Sequence, residues 1–171
     1  MSLQSEFDVR SASVSGLLRT YRAILDDLKR RDVTRTMNAP TGDLAELLVA
    51  AAVDGERAPN SEKSYDVKAR DSRRIQVKSR ILTSGHRGER QLSTFRSWDF
   101  THLAIILFGS DYSIVRGVMI PVGLVREAST EDRHVGGNRV MATDEFLSTP
   151  GVEDITESLV EAFKRLDMDR V

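Results

Sequence analysis

The sequence contains no cysteine, which excludes disulfides, thiolate metal sites and cysteine nucleophiles together. No apolar run approaches the roughly 18 residues of a membrane span, and Met1 to Arg10 lacks the apolar stretch of a signal peptide. The expected location is therefore the cytoplasm, with no membrane partner. Histidine is scarce: His86, His102 and His134 are too widely separated for a metal-ligand spacing. Gly85, Gly88, Gly136 and Gly137 form no phosphate-loop pattern, no Ser-His-Asp arrangement can be argued, and there are no repeats or low-complexity segments. What remains is an ordinary globular composition, 40% hydrophobic and 30% charged. At 171 residues the chain is read as one domain, 1–171, with a core over about 40–120 and a helix added at each end.

The net charge is only −1, but it is unevenly distributed. Lys63 to Arg96 carries ten basic and three acidic residues, a local charge of +7. Thr143 to Val171 carries eight acids and three bases, or −5. Such asymmetry can make one face attractive to phosphates. It is also what a merely solvated, patchy surface looks like.

Apolar residues at helical spacing predict a first helix over Ser13 to Arg31 and a second over Thr41 to Val53 with Thr41 as its cap. Alternation predicts strands over Ser64–Ala69 and Arg73–Leu82, joined by Arg70, Asp71 and Ser72. A polar loop, Thr83 to Gln91, leads to a short helix over Leu92–Trp98. His102 to Phe108 is nearly all apolar and reads as a strand buried on both faces. A strand over Tyr112–Ile120, a short helix over Pro121–Glu127, a loop at Gly136-Gly137-Asn138 and a last helix over Glu153–Leu166 complete the order. The fold class expected is α/β, a central mixed sheet flanked by helices.

Side-chain parity gives these elements chemical content. Ile75 and Val77 share one face of their strand, and Gln76, Lys78 and Arg80 share the other. A three-residue loop pairs Ala69 with Arg73 and hence Asp66 with Gln76. Asp66, Gln76 and Lys78 then converge on one surface, whereas a two- or four-residue loop breaks the parity. Glu46 stands on an otherwise apolar helix, where a buried charge needs a partner. A metal ion shared with Asp66 is one such partner; an arginine or solvent is another. Asp43 reads as a first-turn acid suited to the helix dipole, and Trp98 and Phe100 as core or lid residues. An acid, an amide and a lysine on adjacent strands suit phosphodiester hydrolysis. A hard cation takes oxygen ligands, activates water, and is helped by a nearby lysine that stabilises developing negative charge.

Glu46 in GDLAELLVA, Asp66 in KSYDVKA, and Gln76 with Lys78 in RRIQVKSR resemble the PD-(D/E)XK, or restriction-endonuclease-like, nuclease superfamily. The order of a helix with glutamate, a hairpin with aspartate and a strand with X-x-Lys matches, and the resemblance covers about Pro40 to Ile120. It implies that Asp66 binds metal, that Gln76 fills the second acidic position, and that Lys78 serves the nucleophilic water. Glu46 and the Val77 carbonyl are further implied ligands. Two positions depart from the pattern: Tyr65 where proline often stands, and Gln76 in place of a carboxylate. Gln-x-Lys with a helical glutamate is similar to the Mrr-like branch.

The resemblance implies a Mg²⁺- or Mn²⁺-dependent endonuclease whose partner is nucleic acid, DNA being the expected one, and which works as a homodimer. Arg80, Arg87, Arg90 and His86 are the candidate phosphate contacts. The alternatives are a catalytically silent module of the same fold that binds nucleic acid or a protein, and an α/β domain whose basic hairpin is only solvated surface.

Overall fold

The computed structural model describes residues 8–59, 61–62, 64–134 and 136–168. Residues 1–7 of the N-terminal segment, Lys63 of the basic window, and Asp169 and Arg170 of the acidic one lie outside the described residues.

Two helices open the chain: α1 (Val14–Arg30), capped by the Ser13 hydroxyl, and α2 (Thr41–Ala52). Strands β1 (Glu56–Arg57), β2 (Val67–Lys68) and β3 (Arg74–Leu82) follow, then a 3₁₀ turn at Arg87–Arg90. The long strands β4 (His102–Gly109) and β5 (Ile114–Pro121) lead into α3 (Val122–Glu127) and a hairpin of β6 (Thr130–Asp132) and β7 (Gly137–Arg139). The chain continues through α4 (Asp144–Leu147), β8 (Glu153–Asp154) and α5 (Thr156–Met168). One six-stranded sheet has the order β1-β2-β3-β4-β5-β8; β3 and β4 run parallel and every other neighbour is antiparallel. The fold is α/β, a central mixed sheet flanked by helices. Among the described residues no helix is long and apolar enough to cross a membrane.

The sheet is buried on both faces, which is why β4 reads as a continuous apolar run. On one face Ile75, Val77, Ile106, Phe108 and Met119 pack against Leu44 and Leu48 of α2 and Leu159 of α5. On the other, Leu103, Ile105, Leu107 and Ile120 meet Leu92, Phe95, Phe100 and Val125. Gly117 lets α5 sit close on β5, because a Cβ there would run into the Leu159 side chain.

Four local expectations are corrected. Glu153 and Asp154 form strand β8 rather than the start of the last helix. Leu92–Trp98 is not helical. It is an extended segment whose Leu92 N–H donates to the Val140 carbonyl and whose Phe95 pairs with Asn138, so tertiary pairing overrides its helical spacing. Gly137 and Asn138 belong to strand β7 rather than a loop. Glycine is needed there because a Cβ at Gly137 would lie 2.6 Å from the Phe95 carbonyl oxygen. Thr41 is the first helical residue of α2 rather than its cap; Pro40 holds the cap position and the Thr41 hydroxyl meets the Tyr112 hydroxyl at 3.3 Å.

Candidate active site

The hairpin that carries the site has the register set by a three-residue loop. Val67 faces Ile75 and Lys68 faces Arg74, and the Ala69 N–H donates to the Arg73 carbonyl. Ser72 takes the left-handed conformation (φ 71°) that ends such loops. The Asp66 N–H donates to the Ile75 carbonyl. β2 is short, so Asp66 stands just before it, at the edge of β3. There its Oδ2 accepts hydrogen bonds from Gln76 Nε2 and, at 2.7 Å, from the Val77 N–H. A strand residue's N–H and C=O point to the same edge, so the Val77 carbonyl also faces Asp66.

Parity places the rest of the strand. Ile75 and Val77 are buried under α2, while Gln76, Lys78 and Arg80 lie beside Leu103, Ile105 and Leu107 of β4 on the opposite face. Lys78 Nζ sits 5.2 Å from the centre of the Phe95 ring, a cation–π contact. Burial pulls the Lys78 ammonium below the usual lysine range; the Asp66 carboxylate opposes this, and Arg80 adds to it. Burial likewise raises the Asp66 carboxyl, against the Val77 N–H, Lys78 and Arg35.

Glu46 of α2 lines the same cavity as Asp66. Burial, then the neighbouring Asp66 and Asp43 carboxylates, push Glu46 up to about 7, with Arg35 and Arg57 acting weakly the other way. Glu46 and Asp66 line one cavity of about 350 Å³. Gln76 and Lys78 line a second, of about 430 Å³, with Phe95 and Arg96. The four residues therefore do not share one pocket; the Asp66–Gln76 hydrogen bond joins the two. Lys78 also opens onto a larger cleft of about 780 Å³ between the free edge of β3 and the start of α2, lined by Thr41, Gly42, Arg80 and Gln91.

The basic residues divide by role. Arg80 lies in that cleft, its Nε donating to the Gln91 carbonyl at 2.6 Å. Arg87 and His86 are exposed. Arg90 is tied to the Ala142 carbonyl at 2.9 Å and to Asp144 at 2.8 Å, so it anchors the loop to α4. Glu89 gathers the Thr83 and Ser84 hydroxyls and N–H groups, which lower its carboxyl to about 2.

Two residues of the site have no signal in the sequence. Phe95 lies under Lys78 only because its segment is extended. Arg35 donates to the Ala58 carbonyl at 2.6 Å and lines the Glu46–Asp66 cavity. Asp43 has a second duty beside the helix start, since its Oδ2 accepts from the Arg35 and Thr36 N–H groups and so fixes the loop before α2. Trp98 stacks on Phe95 at 5.5 Å, and Phe100 is buried.

The donor set suits a hard dication. Among the described residues no three His, Cys, Asp or Glu side chains form a metal group. The oxygen atoms available to a cation here are two carboxylates, the Gln76 amide and the Val77 carbonyl, the type that Mg²⁺ prefers. A cation there would also offset the burial and the carboxylate repulsion that raise Glu46.

The raised Glu46 carboxyl has a measurable consequence. Burial first, and carboxylate repulsion second, hold the folded Glu46 pKa above the ordinary glutamate value of 4.5. The metal-free protein therefore loses stability as pH rises from about 4.5 to about 7, and the loss is complete above that. In chelator at pH 8, Glu46→Gln should raise stability by about 1–2 kcal/mol, the full linkage value being reduced because the side chain is partly solvated. The gain should vanish near pH 4.5. Thermal melts of both proteins across this range check it; a gain independent of pH would show that Glu46 does not titrate in this window.

No protein family's sequence profile matches the chain, and no curated protein resembles it significantly.

Proposed function

We propose that the chain is a Mg²⁺-dependent nuclease with a restriction-endonuclease-like core, acting on DNA in the cytoplasm. The observation that carries this reading is the Asp66 carboxylate. It is bonded to Gln76 and the Val77 N–H, is flanked electrostatically by Glu46 and Lys78, and stands at the edge of the strand that borders the large cleft.

Asp66, Glu46 and the Val77 carbonyl would hold the ion, and Gln76, whose amide nitrogen donates to Asp66, would join them by turning its oxygen inward. Bound Mg²⁺ supplies positive charge at the phosphate and acidifies water. The protein's own groups do the rest. Lys78, desolvated against Phe95, presents a cation whose effect on developing phosphate charge is not diluted by water. Arg80 and the N-terminal peptides of α2 at Thr41 and Gly42 favour an anion in the cleft. Exposed Arg87 and His86 extend that basic surface.

The test is cleavage of single- and double-stranded DNA in Mg²⁺, Mn²⁺ and chelator, with metal uptake by calorimetry. Wild type should cut weakly, and only with metal, because a site with two carboxylates attracts a dication less than one with three. Gln76→Glu adds a negative charge and should tighten metal binding by about tenfold, the effect of one modest electrostatic contact. An unchanged affinity removes Gln76 from the site.

The rival reading is a catalytically silent module of the same fold that binds nucleic acid or a protein. DNA binding with neither metal uptake nor cleavage would make that reading the better account.

A further inference from the structure

Beyond Gln76, on the face of β3 away from α2, lies the cavity of about 430 Å³. Lys78 and Phe95 line it together with Thr94, Arg96, Ser97 and Asp99. Its polar groups are unengaged. Arg96 and Asp99 are both exposed, yet among the described residues neither pairs with the other or with any other group. The Thr94 and Ser97 hydroxyls likewise have no hydrogen-bond partner there. The charges on the other side of Lys78 are tied: Arg80 to the Gln91 carbonyl, Arg90 to Asp144 and Glu89 to Thr83 and Ser84. A cation and an anion that share one small cavity without meeting leave room for a ligand that offers something to each.

Building on the nuclease reading, we propose that this cavity is a pocket for one unpaired nucleobase of the strand whose phosphate is held at Asp66 and Lys78. A phosphate alone does not suit the lining, because Asp99 repels what Arg96 and Lys78 attract. A base does suit it. Each base carries acceptors and N–H donors, so one edge serves the Arg96 guanidinium and the Asp99 carboxylate together, and the hydroxyls take either kind of group. The volume lies at the low end of the roughly 300–1,000 Å³ of ligand pockets, the scale of a single nucleotide rather than a stretch of duplex. Position agrees with chemistry. Gln76 lines the cavity and bonds Asp66, and Lys78 lines both this cavity and the large cleft. A strand that follows the cleft with a phosphate at Lys78 has the pocket one side chain away. In a duplex the opposite base occupies the edge that the pocket reads. A paired base must first be turned out of the stack, a cost that a single strand is largely spared.

Calorimetry in chelator tests the pocket without cleavage. The probes are deoxynucleoside 5′-monophosphates, with deoxyribose 5-phosphate as the base-free control. Wild type should bind the nucleotides about tenfold more tightly than the control, the order of one base contact. Asp99→Ala should weaken nucleotide binding by about tenfold, the loss of a hydrogen bond to a charged group. It should leave the control unchanged or tighter, because it removes a repulsion on phosphate. Asp99 is exposed, so the circular dichroism spectrum should not change. If Asp99→Ala tightens nucleotide and control alike, the cavity holds phosphate and the base pocket is overturned; equal wild-type affinity for nucleotide and control overturns it as well. Cleavage separates this result from the nuclease reading. In Mg²⁺ a single strand should be cut about tenfold faster than the same strand in a duplex. Base-dependent binding with no cleavage in any metal keeps the pocket and removes the nuclease. Equal cleavage of both substrates with base-independent binding keeps the nuclease and removes the pocket.

Discussion

Lys78→Ala is expected to bring DNA cleavage to background, a fall of at least about 10²–10³-fold, the cost of losing one preorganised charge-stabilising group. Metal binding should survive or tighten. Lys78 acts electrostatically on the Asp66 carboxylate, and removing its charge removes a repulsion on an incoming cation. One competing effect fixes the conditions. Lys78 helps to keep the Asp66 carboxyl ionised, so its loss makes protons better competitors for that oxygen. Calorimetry is therefore best run near pH 8, where protons compete least. The fold should tolerate the change, because the strand's buried contacts come from Ile75 and Val77 on the other face. Retained cleavage with intact metal binding would remove Lys78 from the chemistry.

Asp66→Ala should abolish metal uptake and cleavage together, and it is the less clean of two available variants. The Asp66 carboxylate accepts the Val77 N–H, and Ala would leave that donor without its acceptor at a cost of about 1–3 kcal/mol. Asp66→Asn keeps an oxygen for the Val77 N–H and removes only the charge. It should be folded, metal-free and inactive. It should also lower the Glu46 pKa from about 7, because Asp66 is the largest neighbouring charge that raises it. The pH dependence of stability in chelator should then move to lower pH. A Glu46 titration unaltered in Asp66→Asn would show that the two carboxylates are not coupled.

The hairpin was the legible half of the site, for a physical reason. Three residues between two alternating runs fix strand parity, and parity fixes which side chains meet, so the contact between Asp66 and Gln76 follows from spacing alone. Glu46 was legible as a carboxylate out of place on an apolar helix, and its raised pKa reflects that burial. Residues 92–98 were not legible. Leu92 and Phe95 have helical spacing, yet their backbone partners, Val140 and Asn138, lie more than forty positions away, and nothing local announces such a pairing. The same distance hid the ion pair that engages Arg90, a candidate phosphate contact, with Asp144 far along the chain. Charge density showed where basic residues cluster but not which were already engaged.

The extended segment behind Lys78 ties one amine to a remote part of the chain. Phe95 holds its place through backbone bonds to Asn138, beyond the β6 strand, and Leu92 through Val140. The dryness that makes Lys78 easier to deprotonate is thus lent by residues sixty positions away along the chain. Anything that loosens Asn138 from Phe95 readmits water and restores ordinary basicity to the lysine. The acid–base character of the strand is in this sense written in the β6–β7 hairpin, and changes there can tune it without touching any group of the proposed site.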